Sequence, residues 1–167
     1  MVSTDIHPAH TPGQTALAAH TSNQLGPPRT GSTRTAVVAL PAEPASVAAA
    51  RLWATGVLTL WGLSTDDRGT AELVISELAG NAVLYGHSEM AIRLAQHKDQ
   101  LRMCVTDSGA RSAQQLAVPQ ELDEHGRGLA IVQALAESIE VTREPGGWRV
   151  GAVLHVSTTG TRRRHRL

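Results

Sequence analysis

Three short clusters in this chain hold residue types that could do chemistry. In Glu77-Leu78-Ala79-Gly80-Asn81 a carboxylate and a carboxamide stand four residues apart. On a helix that spacing puts both on one face. There the pair can hold a hydroxyl or a water and offer an oxygen ligand to Mg²⁺, although the same spacing occurs on an ordinary polar helix face. In Val105-Thr106-Asp107-Ser108-Gly109 the carboxylate accepts hydrogen bonds only, which suits an exocyclic amine such as adenine N6. Gly109 lets the backbone turn or a flat ring come close, and Asp-Ser-Gly is equally a common turn. In His125-Gly126-Arg127-Gly128-Leu129, glycines ahead of a helix expose backbone N–H groups, and the helix dipole favours anions. That is a phosphate cradle, or else a flexible hinge between loop and helix.

Other site grammars fail. Gly126-x-Gly128 lacks a third glycine, because Ile131 stands in its place, and it follows a loop rather than a strand, which disfavours a dinucleotide fingerprint. There is no Gly-x-x-x-x-Gly-Lys, no Gly-x-Ser-x-Gly and no His-Glu-x-x-His. His7, His10 and His20 have no spacing that would fix a metal.

These clusters need elements to hold them. Residues 1–33 are rich in Pro, Gly, Ser, Thr and His without apolar periodicity and read as a disordered leader. A β-branched strand over 34–40 ends at Pro41, and a helix over 45–61 opens after Pro44 and stops at Gly62. Leu52, Leu60 and Leu63 supply that segment's apolar weight. A second helix starts near Thr65, with Asp66 and Asp67 in its first turn, and ends at Tyr85 before Gly86. Glu77 and Asn81 ride on it.

Met90, Ile92 and Leu94, then Leu101, Met103 and Val105, alternate with other residues and predict an antiparallel hairpin that leads into Asp107. Residues 108–125 read as a long loop of the lid type. A third helix runs from about Gly126 to Ser138, and a last hairpin pairs 139–143 with 148–156 around Pro145-Gly146-Gly147. Strand, two helices, hairpin, loop, helix, hairpin is the order of an α/β two-layer sandwich. Its mixed, mainly antiparallel sheet carries the helices on one face. The ordered domain spans 34–157, and a basic tail spans 158–167.

Fifteen basic and fifteen acidic side chains cancel, so no overall charge draws the chain to nucleic acid or an anionic membrane. Arg162, Arg163, Arg164, His165 and Arg166 form only a short basic end. Hydrophobic residues make up 41% with no Phe, so the core is aliphatic and alanine-rich. Cys104 is the sole cysteine, which rules out an internal disulfide and points to a reducing compartment. No secretory signal and no membrane span is visible, so the expectation is a cytoplasmic protein.

The order and spacing of these clusters resemble the histidine-kinase-type ATPase family with the Bergerat ATP-binding fold. The branch most similar is the short anti-sigma-factor serine kinases of actinobacteria. The resemblance rests on Glu77-Leu78-Ala79-Gly80-Asn81-Ala82-Val83, Asp107-Ser108-Gly109 and Gly126-Arg127-Gly128-Leu129. It extends to Ala71–Ser76 and Val132–Ala136, across roughly 35–156.

It implies ATP and Mg²⁺ as cofactors, with Glu77 as general base toward the attacking hydroxyl and Asn81 toward the metal. Asp107 would read the adenine amine beside Gly109. Residues 110–125 would form a lid, and His125, Gly126, Arg127, Gly128 and Leu129 would lie around the phosphates. The implied partners are a sigma factor, a STAS-type anti-sigma-factor antagonist phosphorylated on Ser or Thr, and a second copy of the chain. One departure stands out. Gly147-Trp148-Arg149-Val150-Gly151 replaces the Gly-Lys-x-Val-Trp-like ending of many relatives, and it leaves a non-catalytic, nucleotide-gated binding module as the alternative.

Overall fold

The computed structural model describes residues 32–86, 88–108 and 127–157. The leader, the lid and the basic tail expected from the sequence lie wholly or almost wholly outside them. The described elements follow in the order β1 (Arg34–Pro41), α1 (Pro44–Leu60), α2 (Thr65–Tyr85), β2 (Glu89–His97), β3 (Gln100–Asp107), α3 (Arg127–Leu135), β4 (Ser138–Glu144) and β5 (Gly147–His155). The strands form one open sheet in the order β1-β2-β3-β5-β4.

Every pairing is antiparallel. The α/β two-layer sandwich is therefore as expected, and the sheet carries no parallel ladder among the described residues. The reason is topological: β3 and β4 run the same way across the α3 crossover, but β5 inserts between them.

One face of the sheet is apolar because the strands alternate. Ala36, Val38 and Leu40 of β1 lie beside Leu94, Ile92 and Met90 of β2, and these lie beside Met103, Val105 and Asp107 of β3. All but Asp107 belong to the core that α2 covers with Ala71, Val74, Ile75, Leu78, Ala79 and Ala82. That helical set recurs at three- and four-residue steps, a stripe that fixes how α2 is rotated on the sheet.

α1 ends in a Schellman turn. Gly62 takes a left-handed φ of 76°, its N–H bonds Thr59 O at 3.0 Å, and the Leu63 N–H bonds Leu58 O at 3.1 Å. The buried face of α1 does not follow its apolar weight. Ser46, Ala50, Ala54, Val57 and Leu58 turn inward, whereas Leu52 and Leu60 are 77% and 80% exposed. The side turned inward carries mostly small residues, and the two leucines are left on the outside.

A stability test follows: Leu58→Ala is expected to cost about 2–5 kcal/mol in urea unfolding, and Leu60→Ser no more than about 0.5 kcal/mol. α3 also ends earlier than expected, at Leu135. The Glu137 N–H turns to Val153 O at 2.8 Å, and Ser138 already pairs with Val153.

The start of α2 is tied to the end of the sheet through Asp67. Ser64 caps the helix by accepting from the Asp67 N–H at 3.2 Å and donates its hydroxyl to Asp67 Oδ2 at 2.6 Å. The Ser157 N–H and hydroxyl both reach the same oxygen at 2.8 Å. Partial burial alone would raise the Asp67 carboxyl, but the bonds from Ser64 and Ser157 outweigh it and hold the group below its ordinary value. A carboxyl depressed in the folded state contributes stability in full above its unfolded pKa and loses it as pH falls through the folded one. The stability gap between wild type and Asp67→Ala should therefore be widest at neutral pH and narrow below about pH 4, as measured by denaturant titrations across pH. A gap that stays constant down to pH 2 would refute this assignment.

Candidate functional site

Glu77 and Asn81 sit on the flank of the α2 stripe, because Leu78 and Ala82 next to them point into the core. Both are half-buried. The first turn of α3 lies against Glu77 so closely that a Cβ on Gly128 would come within 2.5 Å of Glu77 Oε2. The carboxylate thus meets the positive end of α3, whose N-terminal N–H groups also suit phosphate oxygens. One turn further along α2, Asn81 Nδ2 is buried and has no hydrogen-bond partner among the described residues. A buried amide donor left unpaired costs roughly 1–3 kcal/mol, and an anionic oxygen delivered by a ligand would satisfy it.

Asp107 marks the other end of α2. Continuing the phase of Leu101, Met103 and Val105, it faces the helices and is only 8% exposed. The end of β3 is locked to the start of β2. The Ser108 N–H bonds Glu89 O at 3.0 Å, and the Glu89 N–H bonds Ser108 Oγ at 3.0 Å. Two further elements close on Asp107. Gly86, directly after α2, would carry a Cβ 3.1 Å from the Asp107 Cβ. The Trp148 N–H donates to Asp107 Oδ1 at 3.3 Å.

From Glu77 to Gly86 the helix rises about 13 Å, the scale of a mononucleotide. A separate cavity of about 280 Å³ lies against Asp107, bordered by Ala39, Ala91, Thr106 and Glu144. None of Glu77, Asn81 or Gly128 borders it.

The sequence-predicted residues fall as follows. Glu77 and Gly128 come together, Asn81 follows on the same helix, and Asp107 lies beyond the end of that helix. Arg127 opens α3, and Leu129 packs half-buried against the core. Gly109, His125 and Gly126 lie outside the described residues. Sequence reasoning missed the contact of Gly86 and Gly147 with Asp107. Gly86 reads as a helix stop and Gly147 as a turn residue, yet Gly86 caps α2 with an ordinary φ of −77°. Its lack of a side chain is demanded by Ala82 O and Asp107 instead. Among the described residues no group of three His, Cys, Asp or Glu could hold a metal, and no helix is long and apolar enough to cross a membrane.

Residues 40–154 match the family model described as a histidine kinase-like ATPase domain. The chain is 28% identical over 123 residues to the serine-protein kinase RsbW of Bacillus velezensis, a match covering 64% of this chain and 77% of that protein. It is 28% identical over 122 residues to the serine-protein kinase RsbW of Bacillus cereus, covering 64% and 76%. Among solved structures, the histidine kinase domain of the blue-light activated histidine kinase from Erythrobacter litoralis EL346 matches at 26% identity with a TM-score of 0.41. That match covers 53% of this chain and 44% of the other.

Proposed function

This chain belongs to the histidine kinase-like ATPase family, and from that premise we propose that it binds Mg-ATP and phosphorylates a serine or threonine of a partner protein. The observation that carries the reading is the spacing along α2. Glu77 lies against the N-terminus of α3 at one end, Asp107 stands beyond the other, and the unpaired Asn81 amide lies between. A nucleotide laid along that line puts its adenine amine at an acceptor-only carboxylate and its phosphates at a helix N-terminus.

In this reading Glu77 accepts the proton of the serine hydroxyl as the hydroxyl oxygen attacks the γ-phosphorus and ADP departs. Asn81 would supply the protein's oxygen to Mg²⁺. A metal that takes most of its ligands from phosphates and water needs no larger protein set, so the residues present fit it. When bound, the ion neutralises charge on the phosphates. Positioning and charge neutralisation supply most of the catalysis in phosphoryl transfer, so few side chains are required.

By similarity to the serine-protein kinases RsbW, the regulatory role we propose is that of an anti-sigma factor. It would bind a sigma factor and phosphorylate a STAS-type antagonist, as a homodimer in the cytoplasm. A non-catalytic module that uses ATP only to set the shape of residues 110–125 is the second reading. It is favoured by Trp148, which stands where many relatives of the kinase branch carry lysine.

Titration calorimetry with Mg-ATP, followed by transfer of labelled γ-phosphate to a cognate antagonist, separates the two. Binding with transfer supports the kinase, binding without transfer supports the module, and no binding removes both.

A further inference from the structure

We propose that Gly86, Gly147 and the Trp148 N–H form a clamp that aims the Asp107 carboxylate and so sets the preference of the site for adenine over guanine. This rests on the nucleotide-binding reading above. A carboxylate that reads one amine must be held in direction, because its side chain otherwise rotates about two torsions. Among the described residues, two distant parts of the chain close on this one.

The Trp148 N–H reaches Oδ1 at 3.3 Å. A Cβ on Gly147 would stand 2.9 Å from the same oxygen and would overlap the Asp107 carbonyl oxygen. A Cβ on Gly86 would press on the Asp107 Cβ at 3.1 Å. Gly146, the preceding residue of the same turn, has nothing within 4 Å of its own Cβ position, nor do Gly56, Gly69 and Gly80. Among the described glycines, close approach is thus found at the two that touch Asp107 and at Gly128 beside Glu77.

The hairpin carrying the clamp is itself braced. The Arg143 guanidinium lies 5.9 Å from the centre of the Trp148 ring, and Arg149 pairs with Glu144 at 2.5 Å. With a purine placed so that its 6-substituent meets Asp107, the carboxylate accepts from the amine of adenine and repels the carbonyl oxygen of guanine. Gly86, Gly147 and Trp148 are positioning residues in this scheme, since they act through Asp107.

The test compares Mg-ATP and Mg-GTP affinities by calorimetry for the full chain and its Gly147→Ala and Gly146→Ala variants. Wild type is expected to favour ATP. Gly147→Ala should lose about tenfold in ATP affinity with that for GTP little changed, and Gly146→Ala should keep the wild-type ratio. A folded Gly147→Ala protein that retains the wild-type ratio overturns the clamp while leaving nucleotide binding intact. A measurement on the wild type alone covers the case in which Gly147→Ala does not fold. The Trp148 amide resonance should move on adding adenosine and stay put on adding inorganic tripolyphosphate. Its indifference to adenosine, in a protein that binds ATP, overturns the clamp. A wild type that binds neither ATP nor adenosine overturns both the clamp and the nucleotide reading beneath it.

Discussion

Glu77→Gln is expected to slow phosphate transfer by about 10²–10⁴-fold, the usual contribution of a general base, with Mg-ATP affinity held or slightly improved. The amide is nearly isosteric with the carboxylate and can keep its place against the first turn of α3, where Gly128 leaves no more than its own volume. It cannot take up the proton of an attacking hydroxyl. It also removes a negative charge from beside the phosphates, so binding has no reason to weaken. Single-turnover transfer from labelled ATP to an antagonist protein, run beside calorimetry, measures both quantities. If the glutamine variant transfers phosphate as fast as wild type, Glu77 is not the base. If its affinity collapses as well, the residue's contribution is to binding rather than to proton transfer.

Asn81→Ala carries the second large effect, and its signature is two changes of opposite sign. In the free protein the Asn81 amide is buried without a partner among the described residues, so its removal should raise stability by up to about 1–3 kcal/mol. In the presence of Mg-ATP the same change should weaken binding by roughly 10–100-fold, because it deletes both a metal oxygen and a donor to phosphate. Thermal melts with and without nucleotide show this directly, with the variant melting above wild type when free and gaining less in melting temperature than wild type from the same concentration of Mg-ATP. A structural role for Asn81 predicts the reverse in the free protein, with a melting temperature lower than that of wild type. The physical cause is the one that lets functional sites break local rules: a group left unsatisfied in the free protein is one a ligand can satisfy.

Much of this was legible from local chemistry. Period-two alternation places Ile92 opposite Val105 and Leu94 opposite Met103, and the same phase carries Asp107 to the helix side of the sheet. Four-residue spacing puts Glu77 and Asn81 on one flank of α2, and the end of α1 followed from Gly62, which only a left-handed turn residue serves so well. The burial of α1 was not legible. Its apolar residues run nearly all the way around, so periodicity selects no face. The leucines that looked heaviest, Leu52 and Leu60, lie outside, while Ala50 and Ala54 are fully buried.

The sequence by itself determined the elements, their order, the family and the residue types available for phosphate and adenine, because each of these is encoded in spacings of a few residues. Only the tertiary structure decided which of those residues meet. Glu77 touches Gly128 across 51 positions of chain, and Asp107 is held by Gly86 on one side and by Gly147 on the other. In a single sequence a glycine that ends a helix and a glycine that gives way to a carboxylate look alike. The space each leaves is set by a neighbour that only folding brings near.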